Sequence, residues 1–84
     1  MSRLYFHLHD GVDTLLDHDG VELSPGQVPG RALTEARAII ADEALQGRID
    51  LRQRIDVHDG EGRIVYSLPF PDAVTIVPPV DGAG

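Results

Sequence analysis

The chain has 84 residues, a net charge of −7, four His, no Cys, and seven basic residues that are all Arg. The missing Cys rules out disulfides, thiolate nucleophiles and zinc–thiolate sites, and the acidic field repels nucleic-acid phosphates on average. A single domain this small buries about 60–65% of its unfolded surface, so its core is thin and leaves little room for a deep, enclosed active site.

Leu4 to His9 alternate with period two, Leu4, Phe6 and Leu8 against Tyr5, His7 and His9, which predicts a half-buried strand. Asp10-Gly11 then supplies a hairpin turn. A returning strand is expected over Val12 to Leu16, a second turn at Asp17 to Gly20, and a short extended piece at Val21 to Leu23. Ser24 to Gly30 holds two Pro and two Gly and reads as a loop.

A helix is expected to start between Gly30 and Leu33 and to end at Gly47, with Arg48 near the negative end of its dipole. Its apolar stripe is Leu33, Ala36, Ile40, Ala41, Ala44 and Leu45, with Glu35, Arg37, Asp42 and Glu43 outside. Ile55 and Val57 alternate with Arg54, Asp56 and His58; Asp59 to Gly62 turns the chain; Ile64, Tyr66 and Leu68 alternate on the way back. Pro69 and Pro71 interrupt, with room for a short edge strand at Ala73 to Val77 before a flexible tail, 78–84, that follows a single domain at 1–77.

Hairpin, helix, hairpin predicts an α+β fold: a small, mostly antiparallel sheet from two hairpins with one helix packed on one face, β-β-α-β-β. One helix covers one face. The other carries Tyr5, His7, His9, Arg54, Asp56 and His58, which an antiparallel sheet can leave facing water.

Tyr5-Phe6-His7 with Asp10-Gly11, Asp19-Gly20-Val21-Glu22-Leu23, and Leu68-Pro69-Phe70 with Ala73-Val74 resemble an uncharacterised family of short bacterial proteins, catalogued as a domain of unknown function. The resemblance spans Arg3 to Ile76; the loop at Ser24 to Thr34 departs from it. It implies a fold and brings no activity, cofactor or catalytic residue. The run "ALTEARAIIADEAL" also resembles the helix of HicB-type antitoxins, which implies an antitoxin-like regulator of a partner nuclease as an alternative.

His7 and His9 share a strand face, and His58 or Asp56 would join them if the third strand lies alongside the first. Imidazoles and carboxylates at one point suit Zn, Ni, Cu or non-haem Fe. Against this metal-binding alternative, the plain reading is a row of half-exposed strand residues. The acidic stretch Asp13 to Glu22 lacks the oxygen spacing of a calcium loop, and turn chemistry accounts for its Asp residues. The glycines of His58 to Gly62 join two strands and precede no helix, unlike a phosphate loop. Tyr5, Tyr66 and Phe70 are the aromatics expected to reach a surface.

No catalytic constellation and no cofactor are expected. The expectation is a non-enzymatic protein-binding or self-assembly module, a homo-oligomer or bound to a protein partner, working through Tyr5, His7, His9, Arg54, Asp56 and His58. The start of the chain lacks the apolar run of a signal peptide, no stretch approaches the ~20 apolar residues of a membrane span, and a cytoplasmic location is expected.

Overall fold

The computed structural model describes residues 2–80. The alternating first segment forms β1, Ser2–His9, the central strand of a five-stranded antiparallel sheet. One edge of β1 pairs with two short strands in succession: β2, Thr14–Leu15, aligns Leu8 with Leu15, and β3, Val21–Leu23, aligns Leu4 with Val21. The other edge pairs with β4, Arg54–His58, which aligns Tyr5 with His58 and His9 with Arg54. Outermost lies β5, Ile64–Pro69, which aligns Val57 with Tyr66 and Ile55 with Leu68. The architecture is α+β, with α1, Val28–Leu45, packed against the sheet. None of the helices described is long and apolar enough to cross a membrane.

The second strand is shorter than expected, since Val12, Asp13 and Leu16 lie outside the ladder. The extended piece at Val21–Leu23 is a full strand. The helix begins at Val28, before the expected Gly30. Ser24-Pro25-Gly26-Gln27 has the spacing of a capping box: Gln27 Oε1 accepts a hydrogen bond from the Ser24 backbone N–H at 2.9 Å. Pro25–Gln27 form a 3₁₀ turn that leads into α1, and Pro29 sits in its first turn, where no backbone N–H is needed. At the far end Gly47, with φ +87°, closes the helix. Arg48 N–H donates to Glu43 O and Gly47 N–H to Ala44 O, the two bonds of a Schellman motif.

The buried stripe of α1 is Val28, Ala32, Ala36 and Ile40, an i, i+4 row whose small central residues let the helix lie close on the sheet. Ala41, Ala44 and Leu45, expected in the core, are exposed, because the buried row of the helix ends at Ile40. Glu43, expected outside, turns inward: its carboxylate accepts from Gln53 Nε2 at 3.0 Å and from Asp50 N–H at 3.3 Å. Leu4, Leu23, Ile55, Val57 and Leu68 meet this stripe.

Phe70, expected at the surface, is fully buried. The 3₁₀ turn Phe70–Asp72 drops its ring into the core, and its N–H donates to Gln53 O at 2.9 Å. Burying one large aromatic is what a thin core needs most, which explains the inward turn. Ala73–Val77 form no strand. Arg37 Nε donates to Ala73 O at 2.8 Å, Val74 packs on the core, and the chain from Thr75 to Val80 is exposed. Of the expected tail, 81–84 lie outside the described residues.

Gly20 is fixed by space as well as by its φ of +73°. A Cβ there would stand 2.8 Å from Arg3 Cγ, 2.9 Å from Tyr5 Cε2 and 3.0 Å from Leu4 O. Left-handed backbone costs a non-glycine residue about 1 kcal/mol before any clash. Gly20→Ala is therefore expected to destabilise the protein by about 2–3 kcal/mol in urea unfolding, while Gly26→Ala, where a Cβ meets nothing within 4 Å, should change little.

Candidate functional site: the sheet face opposite the helix

The register of β1, β4 and β5 places Tyr5, His7 and His9 beside His58, Asp56, Arg54 and Ser67 on the face away from α1. All six residues expected there from the sequence are on it. They are not equally accessible. Tyr5, His7, His9 and His58 are half-buried and Arg54 is exposed, but Asp56 is only 2% exposed. Asp56 thus corrects the expectation of an open contact residue: its neighbours close over it.

Asp56 is the hub of the lower half. Its carboxylate accepts from Arg54 Nε at 3.1 Å and from Ser67 Oγ across the β4–β5 pair, and lies 2.9 Å from His9 Nε2. His9 Nδ1 in turn lies 2.8 Å from Thr14 Oγ1. A carboxylate–imidazole–hydroxyl chain therefore ties β4 to β1 and β1 to β2. Burial pushes the Asp56 carboxyl up, but hydrogen bonds from Ser67 and Arg54 and the charges of Arg54 and His9 outweigh it, and the net shift is downward. Asp56 is held ionised.

The upper half is aromatic. Tyr5 and His7 stack with centroids 6.5 Å apart, and His7 meets His58 edge-to-face at 4.6 Å. His7 Nδ1 accepts from Asp17 N–H at 3.0 Å, so its proton resides on Nε2. Asp17, read from the sequence as a turn residue, does more. Between β2 and β3 the edge of β1 has no strand partner, and Asp17 Oδ2 fills the gap by accepting the Phe6 N–H at 3.2 Å. Its Oδ1 accepts from Asp19 and Gly20 N–H, both at 3.1 Å. One side chain shapes the turn, completes the strand edge and positions His7.

His7 titrates below the ordinary imidazole value of 6.5, first because burial penalises its charged form and second because His58 lies beside it; Asp17 and Asp56 pull the other way and lose. The folded state thus favours neutral His7, while the unfolded chain takes up the proton near 6.5. Stability from this group is complete above that pH and declines as pH falls from there to the folded value. Urea midpoints measured from pH 8 to pH 5 are expected to fall over the acidic half of that range, and His7→Gln should flatten the decline.

The structure does not gather His7, His9 and His58 on one point. His7 and His58 face each other, while His9 is turned to Asp56. Among the described residues no group of three or more His, Asp or Glu has the arrangement to hold a metal ion. The Asp-rich turns act as turn chemistry predicts: Asp10 Oδ1 accepts from Val12 and Asp13 N–H, and Asp59 Oδ1 from Glu61 and Arg63 N–H.

Sequence reasoning missed three members of the site. Ser67 was legible in principle, since a hairpin turning at Asp59–Gly62 sets it opposite Asp56. Thr14 and Asp17 were not, because their roles depend on where β2 and β3 dock along β1.

The family model described as "Domain of unknown function (DUF6894)" matches residues 3–71, from the first strand through Pro71. No curated protein and no solved structure matches the chain. A match that spans the whole sheet and its helix places this protein in the DUF6894 family.

Proposed function

We propose that this protein is a non-enzymatic protein-binding module whose working surface is the sheet face opposite α1. The observation that supports this reading most is the arrangement there of His7, held by Asp17, and Arg54, held by Asp56, with Tyr5 stacked on His7 and His58 edge-on to it, and with no helix or strand among the described residues packed over them. Rigid aromatic rings with polar tips, preorganised by bonds beneath them, lose little entropy when a partner settles on them. The thin core of so short a chain points the same way.

The partner's contact is aromatic and polar at the Tyr5–His7–His58 end and charged at the Arg54 end. A photo-reactive phenylalanine analogue in place of Tyr5, which keeps an aromatic ring and leaves the bonds of Asp56 and Asp17 in place, tests this in cells that produce the protein. A discrete adduct is expected, lost when His7→Ser is added, and its mass tells a second copy from a different protein. His7→Ser should stay folded, since the residue is half-exposed. Equal adduct formation from a probe at Arg48, beyond the far end of α1, would refute the assignment of the surface.

A further inference from the structure

A second surface lies on the other side of the sheet. Leu4, Leu23, Pro25, Val28, Val65 and Tyr66 line an apolar groove of about 290 Å³ where the start of α1 meets β1, β3 and β5. Beside it runs β5, whose outer edge is unpaired among the described residues. Exposed strand edges are usually guarded by charges. β5, Ile64-Val65-Tyr66-Ser67-Leu68-Pro69, has none, and Ile64 and Val65 are 60% and 50% exposed. Val65 is the extra residue passed over between the Ile64–His58 and Tyr66–Val57 pairs, and Pro69 ends the edge, so the stretch offered to a strand runs from this bulge residue to Leu68.

The same chain carries a matching segment. Val74-Thr75-Ile76-Val77 is uncharged and β-branched, bounded by Ala73, which Arg37 anchors, and by Pro78. It is four residues long, as is the free edge; Val74 packs on the core, the segment pairs with no strand among the described residues, and Ile76 and Val77 are 62% and 82% exposed. The radius of gyration, 14.9 Å, fits a body with a projecting segment; a compact chain of this length gives about 12 Å. In a protein of net charge −7, this segment and this groove can meet without bringing carboxylates together. Asp59, the charged residue of the groove, is already paired with Arg63 at 2.9 Å.

We infer that the protein forms a two-fold dimer by exchanging Val74–Val77, each copy laying this segment along Val65–Leu68 of the other with its apolar side chains over the groove. Exchange is self-complementary, so two segment–edge contacts form in one association. The surface lies away from Tyr5 and His7 and stands independently of the partner-binding reading.

Light scattering of the full chain across a concentration series into the millimolar range tests it. A dimer is expected. Ile76→Asp should raise its dissociation constant roughly 30-fold or more, as loss of a buried Ile side chain predicts, with an unchanged melting temperature for the monomer. Val65→Asp should do the same from the other side. Mixing the two variants should restore part of the dimer, because one intact segment then meets one intact edge. The combined Tyr5→Ser and His7→Ser changes should leave the dimer intact. A wild type that stays monomeric throughout overturns the inference, whether its segment is free or folded back on its own β5. So does a dimer indifferent to Ile76→Asp. A dimer lost only with Tyr5 and His7 would overturn it too, and would instead favour self-association through the opposite face.

Discussion

Asp17→Ala is expected to cost about 2–4 kcal/mol, more than any other exposed-turn substitution in the chain. Four bonds depend on this residue. Its carboxylate accepts from the N–H groups of Phe6, Asp19 and Gly20, and its own N–H holds His7. Ala keeps only the last. The Phe6 N–H then lies half-buried at the one stretch of the β1 edge where neither β2 nor β3 can reach it. Burial raises the Asp17 carboxyl, yet the three backbone donors outweigh this and hold it below its ordinary value. Its contribution is therefore present above about pH 4 and lost as pH falls through the depressed value. Asp17→Asn should recover little, since the amide would turn a donor toward one of the donors it must satisfy. Urea unfolding at pH 7, with hydrogen exchange at Phe6 and Gly20, checks both variants. A change within 0.5 kcal/mol of wild type, the ordinary range for a surface residue, would show that water replaces the carboxylate.

Asp56→Ala is expected to cost about 2–3 kcal/mol. The removed group is itself the buried charge, and Arg54 and His9 are exposed enough to regain water, so the loss stays below that of stripping the partner from a buried ion. What goes is the set of charge-assisted bonds from Ser67, Arg54 and His9 that joins three strands. Because the Asp56 carboxyl is depressed, the wild type should lose this stability as acid protonates it below its ordinary value of 3.8. Asp56→Ala should lose less there, so the two stability curves converge at low pH. Curves that stay parallel below pH 4 would mean that another carboxylate governs acid unfolding.

The two faces of the sheet were legible because period two leaves no freedom: once Phe6 and Val57 face the core, Tyr5, His7 and Asp56 must face away. The Gly47 helix stop was equally plain, since little but glycine tolerates its backbone. The helix start was hidden by Pro and Gly that mark a loop by composition, whereas Ser24 and Gln27 at capping-box spacing mark a helix start. Phe70 was misplaced because two flanking prolines say where a strand ends and nothing about where the next ring points. Asp56 shows the deeper limit. Its face follows from alternation, but its burial follows from Ser67, Arg54 and His9 closing over it, which needs the register of three strands at once.

Histidine footprinting with an acylating reagent shows whether anything settles on the sheet face opposite the helix, and the chain supplies its own reference. His18 is exposed in the turn before β3, while His7, His9 and His58 share the sheet face opposite the helix. Modification of the purified protein is to be compared with that in an extract of cells that produce it. His7, half-buried and stacked on Tyr5, is expected to become protected relative to His18 in the extract, and the protection should disappear with Tyr5→Ser. If His7 and His18 keep the ratio seen in the purified protein, nothing settles on that face, and it is not the working surface.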